Sequence, residues 1–488
     1  MASSIKKQVI SLFIGKFMSM LILILLPVVL VRLMEKLDYG LYQQGILIIN
    51  SVGAIFAFGI SSSFYYFFNI INIKEKKQLI WQSGFLLLIL AIISSFILIF
   101  FNEYLSLIVS NVEILQLVLP IGLSVFFFIL SDPIEHLLIV EKKSKAVILL
   151  LIIQSVIKAS LIIFAFTKFD SIAVVFWFIS FFYALKFAFY LFYISQNYRI
   201  IDVFINWDNS FLFRQLKFTY PLGLGNIVGV IGEKIDKFIL SANFNSSDFA
   251  MYSVAQFRLP IISLIFPAVS NVLGPQIAVC GKEGDLIKAK IYWHKIIEKF
   301  SLVIIPFVMY SIFSARELIT LLYTIKYIEA AYLYQIFLFT FFIQMLSRGI
   351  ILHSFGYTKY IFKVKIIVFI CSILLSFLLI PSYGIYGATF SYVFVFYLSG
   401  IIQVGKTKAI LNLKLRELLP FSYIIKVTVI SLLSLTVVIP FKFFRINDFL
   451  FLSLTFVLFF TSIIFLFLHK GLIKKEKITT IIEKVKIW

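Results

Sequence analysis

Apolar runs of roughly twenty residues, parted by short polar connectors, recur from one end of the chain to the other. They begin near Val9, Tyr42, Leu79, Ile114, Ala146, Ile172, Pro221, Phe249, Phe300, Ala330, Ile366, Tyr383, Ser422 and Phe449. A bilayer core about 30 Å thick is crossed by a helix of about 20 apolar residues. The pattern therefore predicts an all-α polytopic membrane protein of about 14 transmembrane helices. The first run, Val9 to Val31, is longer than the apolar stretch of a secretory leader and lacks a small-residue cleavage site. It reads as a retained first helix.

The basic residues give this pattern a direction. With loops assigned alternately to the two sides, one side holds 29 of the 44 Lys and Arg, the other 7, and 8 fall inside runs. Basic residues collect in cytoplasmic loops, so the split predicts both termini in the cytoplasm. Composition agrees: 61% of residues are hydrophobic and 14% charged, where soluble domains carry about a quarter charged. The net charge of +21 would suit nucleic acid, but its confinement to one set of loops suits an anionic inner leaflet instead.

Internal similarity adds an architecture. Asp38-Tyr39-Gly40-Leu41-Tyr42 recurs as Asp248-Phe249-Ala250-Met251-Tyr252, and Ser144-Lys145 is echoed by Thr358-Lys359. Each offset equals about six runs, and an even number keeps the repeated unit in the same orientation. Parallel repeats with a substrate site between them are a common transporter plan. The expected organisation is a six-helix lobe over residues 1–200 and a second over 201–410. Residues 411–488 would then supply two further helices and a basic cytoplasmic tail.

Charged side chains inside spans are the functional candidates, because each is costly in hydrocarbon unless it meets water or a partner. Lys16, Lys158, Lys186 and Arg258 have no acid within one helical turn in sequence. An aqueous cavity lined by such cations would select an anionic cargo; the bland alternatives are snorkelling or pairing with a distant acid. Glu233, Lys234, Asp236 and Lys237 form a self-neutralising cluster in the seventh run, with Glu233 and Lys237 at i,i+4. Pro27, Pro120, Pro260, Pro267 and Pro306 are expected to interrupt helices, and Gly223, Gly225, Gly229 and Gly232 to let another helix approach.

Other motifs carry little chemistry. Gly400 to Thr407 matches a phosphate-loop pattern, but ends a span where no strand and no soluble nucleotide fold surround it. Asn245-Ser246-Ser247 is a glycosylation sequon. Cys280 and Cys371, and the four scattered histidines, show no metal spacing. No Asp-x-Asp and no long outer loop is present, which argues against a glycosyltransferase or polymerase. No cofactor is expected.

Arg32-Leu33 with Asp38 to Tyr42, Asp236-Lys237-Phe238-Ile239-Leu240, Tyr252-Ser253-Val254-Ala255, and Pro381-Ser382-Tyr383-Gly384-Ile385-Tyr386-Gly387-Ala388 carry a resemblance. Together they resemble the oligosaccharide flippases of bacterial O-antigen and capsule assembly. These belong to the multidrug/oligosaccharidyl-lipid/polysaccharide exporter superfamily. The resemblance implies a non-enzymatic transporter of the bacterial inner membrane, working by alternating access of a cationic central cavity. Its implied partner is an undecaprenyl-pyrophosphate-linked oligosaccharide, moved to the outer leaflet. Membrane lipids, a coupling ion (Na+ or H+) and other polysaccharide-assembly proteins complete the implied partners. Lys158, Lys186, Arg258 and Lys16 are candidates for the cavity on the charge argument alone. A multidrug or cation antiporter of the same superfamily, and a peptidoglycan-precursor flippase, share most of this physics.

Overall fold

A computed structural model describes residues 2–103, 113–198, 208–257, 260–346, 349–444 and 446–472. Among the described residues there are α-helices, short 3-10 turns and no strand. Eight helices are long and apolar enough to cross a membrane, with shorter apolar helices at Phe17–Leu33 and Ala330–Gln344. The chain divides into two compact units, Met1–Ser253 with Lys365–Tyr392, and Val254–Val364 with Val393–Trp488.

The first unit holds α1 (Ala2–Leu33), α2 (Lys36–Phe56), α3 (Ser63–Phe67), α4 (Ile73–Phe100), α5 (Ile114–Ser131) and α6 (Pro133–Val140). After these come α7 (Ser144–Phe169), α8 (Ile172–Asn197), α9 (Asn209–Asn243) and most of α10 (Ser246–Ala255). Capping fixes where several start. Asn72 accepts from the Glu75 backbone N–H at 2.9 Å while Glu75 accepts from that of Asn72 at 3.2 Å, a capping box that opens α4. Asp208 accepts from the Ser210 and Phe211 N–H groups at 2.9 and 3.2 Å and opens α9. Both members of each sequence echo open helices: α2 with α10, and α7 with the later α17.

The packing inverts the pattern of a soluble protein. Phe100, Phe192, Phe213 and Phe377 are exposed, while Ser51, Ser63, Ser83, Ser94 and Ser124 are buried. Small residues let backbones approach in lipid, where no hydrophobic force separates inside from outside. Hydrogen bonds then cross the contacts. Ser95 donates to the Gly122 carbonyl at 2.9 Å, joining α4 to α5. Gln215 of α9 donates to Ser63 at 2.9 Å and Ser83 at 2.6 Å, joining α3 and α4. Such bonds average about 0.6 kcal/mol in membranes, so they fix position more than they add stability. Of the expected glycine stripe, Gly223 packs on the Phe58 ring and Gly232 on Phe369, whereas Gly225 and Gly229 face open space.

The 53-residue α17 (Thr358–Ile410) is two antiparallel arms. Gly384 at φ 57°, ψ −136° breaks it, and at Gly387 a Cβ would lie 2.1 Å from the Leu379 carbonyl oxygen. Ser376 and Ser391 consequently meet across the reversal at 3.1 Å. The first arm packs in the first unit, where Ser372 donates to the Gly232 carbonyl at 3.2 Å.

The second unit holds α11 (Pro260–Glu283), α12 (Leu286–Phe313), α13 (Ala315–Tyr323), α14 (Ala330–Leu338), α15 (Thr340–Gln344) and α16 (Ile350–Ser354). The part of α17 from Val393 onward, α18 (Phe421–Val438) and α19 (Asp448–His469) complete it. Pro260 is the first described residue of α11, and the residues before it lie outside the described ones. Pro27, Pro120 and Pro306 do lie inside helices. Tyr310 donates to the Leu452 carbonyl at 3.0 Å, lies 3.0 Å from the Thr455 hydroxyl, and packs among Phe456, Phe459 and Phe460.

Candidate functional site

Within the first unit, α6, α7 and α8 bring a polar seam into an otherwise apolar bundle. Gln154 and Lys158 are four residues apart on α7, and Tyr183 and Lys186 three apart on α8, so each pair shares a helix face. Glu135, early in α6, accepts from Gln154 Nε2 at 3.0 Å and from Lys186 Nζ at 3.1 Å. The Lys186 side chain is 14% exposed and that of Glu135 33%. A partly buried pair of this kind holds its helices in register mainly because loss of either partner would strand the other charge.

Lys158 is placed differently. Its ammonium donates to the Tyr183 hydroxyl at 3.0 Å and lies 5.1 Å from the Tyr183 ring centroid and 6.0 Å from that of Phe182. No carboxylate lies within ion-pair distance of it among the described residues. Hydroxyl and ring faces offset part of the desolvation of an ammonium but leave its charge uncancelled. The α1 side of α7 is closed by Ser19 and Ser155, whose hydroxyls meet at 2.5 Å.

The remaining candidates separate. Asp236 is buried in α9 and accepts a short hydrogen bond from the Tyr252 hydroxyl of α10, while Glu233 is exposed and Lys234 and Lys237 half-buried. Next to it, Gln44 donates to Ser241 at 2.9 Å and accepts from Ser246 at 2.9 Å, tying α2 to both ends of the α9–α10 turn. Lys16 belongs to α1, but its side chain lies outside the described residues, as does Arg258.

Sequence spacing missed Glu135, Gln154 and Tyr183. The signal for Glu135 was present: an acid within the apolar run from Ile114 to Val140, 51 residues from Lys186. Counting acids inside runs, and not only cations, would have flagged it.

A bundle of long apolar helices with buried serines, interrupted spans and intramembrane charges defines a multi-pass membrane fold, and solved structures share it. The chain is similar to the lipid II flippase MurJ in an inward closed conformation, with TM-score 0.74 and 18% identity over 93% of this chain and 97% of that one. It is also similar to an inward-facing multidrug resistance MATE family transporter of the MOP superfamily, with TM-score 0.65 and 14% identity over 81% and 94%. At these identities the likeness is one of fold. The family described as "Polysaccharide biosynthesis protein" matches residues 5–279, more than half of the chain, and the chain belongs to that family. The capsular polysaccharide biosynthesis protein CapF of Staphylococcus aureus is 24% identical over 200 residues, 40% of this chain. The chain spans about half the length of that curated relative.

Proposed function

We propose that this protein moves a lipid-linked oligosaccharide, carried on undecaprenyl pyrophosphate, from the cytoplasmic to the outer leaflet of a bacterial inner membrane. The observation that carries the reading is Lys158, an intramembrane cation solvated by a tyrosine hydroxyl and two ring faces with no carboxylate in reach among the described residues. An uncancelled positive charge inside a bundle favours a pyrophosphate or acidic sugar over a cationic drug. Membership in the polysaccharide biosynthesis family supports the sugar cargo. Repeated lobes meeting near residues 200 and 410, and both termini in the cytoplasm, belong to the same proposal.

Lys186 enters as a paired cation. Through Glu135 it holds α6 to α8 beside Lys158, and can meet the cargo only when that pair opens. Arg258 and Lys16 remain candidates on their sequence positions alone.

The test is transport by Lys158→Ala at matched membrane abundance. The reading expects complete lipid-linked repeat units to accumulate on the inner leaflet. Normal transport by this variant would remove the cationic-site argument. Unchanged surface polysaccharide with altered resistance to cationic drugs in the null strain would favour the antiporter.

A further inference from the structure

At the lysine-rich end of the first unit, the ends of α3 and α4 and the start of α9 enclose a pocket of about 460 Å³. Its lining combines the charged Arg214, Lys217 and Glu75 with the apolar Tyr66, Phe67 and Phe218 among others. It involves none of the residues of the α6–α8 seam.

The charged group is built rather than incidental. Arg214 donates from Nη2 to Glu75 Oε1 at 3.3 Å. Glu75 is itself fixed by the capping box that starts α4. The guanidinium also lies 4.9 Å over the Phe211 ring and 5.9 Å over Phe67. One edge of the arginine is thus spent on positioning. A guanidinium has five N–H donors in a planar fork, so the other edge stays available to an oxyanion. Lys217, one turn along the same helix and exposed, adds a second cation. The lining therefore carries one net positive charge after Glu75 is counted, with Lys74, Lys76 and Lys77 beside it in the first turns of α4.

The rings are equally ordered. Tyr66 and Phe218 stack with centroids 4.6 Å apart at 17°, and Phe67 meets Phe218 edge-on at 5.3 Å and 70°. A pocket that sets two cations beside stacked rings matches one chemistry: a phosphate ester joined directly to a hydrocarbon chain. A soluble phosphate would leave the rings wet, and a neutral lipid would leave the cations without a counter-charge.

We infer that this pocket binds the phosphate head of an anionic membrane lipid, with Arg214 and Lys217 on the phosphate and Tyr66, Phe67 and Phe218 against the first carbons of the chain. The inference stands whether or not the proposed cargo is correct. The lipid can be a bulk phospholipid of the lysine-rich leaflet or a polyprenyl pyrophosphate, and the shared chemistry is the chain-linked phosphate.

Native mass spectrometry of the full-length protein in detergent tests it, with dioleoyl phosphatidylglycerol, dioleoyl phosphatidylcholine and undecaprenyl pyrophosphate as probes. The wild type should retain the two anionic lipids over phosphatidylcholine. Lys217→Gln, an exposed change that leaves the Arg214–Glu75 pair intact, should weaken that retention about tenfold, and Arg214→Gln/Lys217→Gln further. Competition between the two anionic probes then says which source the site prefers. Unchanged retention in both variants would overturn the proposal. So would an equal loss in Lys74→Gln/Lys145→Gln, which removes two charges from the same end outside the pocket, because surface charge would then explain the binding.

Discussion

Gly40, in the first turn of α2, lies so close to Ser246 at the start of α10 that a Cβ would fall 1.8 Å from the Ser246 carbonyl oxygen. The two helices opened by the repeated pentapeptides thus touch backbone to backbone, and glycine is required there by distance. Below that contact, Gln44 bonds to both Ser241 and Ser246. Gly40→Ala must push backbone atoms apart, and overpacking of this kind costs about 1–3 kcal/mol. Thermal melts in detergent should show a clear loss for Gly40→Ala. Gly225→Ala, whose Cβ meets nothing within 4 Å in the same unit, should be neutral or slightly stabilising.

The Glu135–Lys186 pair gives a second expectation. Lys186→Met strands Glu135 in the seam and should destabilise the protein, and Glu135→Gln should strand Lys186. The double variant should recover most of the loss, because what each single change exposes is an uncompensated charge. Melting temperatures of the four proteins in the cycle decide it. Additive losses would mean that the pair does not couple α6 to α8.

Gly384 turns α17 back on itself at φ 57°, ψ −136°. That conformation is nearly closed to residues with a Cβ, and strain of this kind costs about 1–3 kcal/mol. The Phe244 ring, 3.3 Å from where a Cβ would stand, adds crowding. Gly384→Ala should lower the melting temperature, and cysteines placed at 376 and 391 should cross-link only while the reversal persists. Efficient cross-linking in an unperturbed Gly384→Ala protein would show that the turn tolerates a side chain.

Asp38, ahead of the second span, has its carboxyl pushed above the usual aspartate range by burial and then by Asp170, Glu113 and Glu35. The folded protein therefore holds this proton to higher pH than the unfolded chain does. The associated stability is full below the ordinary aspartate pKa and is lost as pH rises through the raised value. Asp170 also sits in the left-handed region at φ 44°. Asp170→Gly should relieve both, raising stability at neutral pH and flattening the fall as pH rises above the ordinary aspartate pKa of about 4. Melts at rising pH in wild type and variant are the check.

Much of this was legible in the sequence because membranes simplify the code. Apolar length and the Lys/Arg bias predict an all-helical membrane protein, and the Pro381–Ala388 motif falls on a real chain reversal. The side-chain pairing was not legible. Lys186 reads as an unpaired cation because its partner, Glu135, is 51 residues away on another helix, and only the folded bundle brings them together. Asp236 reads as one of a lysine-neutralised group, yet it turns to Tyr252. Proximity in sequence predicts partners along a helix face; in a bundle the interior partners come from neighbouring helices.

Leaflet-resolved lipid analysis tests the central claim most directly. The gene would be deleted in its host and restored as wild type or Lys158→Ala, and the polyprenyl-linked sugars isolated and assigned to a leaflet by accessibility to a membrane-impermeant reagent. The account predicts complete repeat units trapped on the cytoplasmic face in the deletion and the variant, with surface polysaccharide lost, and both restored by wild type. Repeat units reaching the outer face without the protein would contradict it.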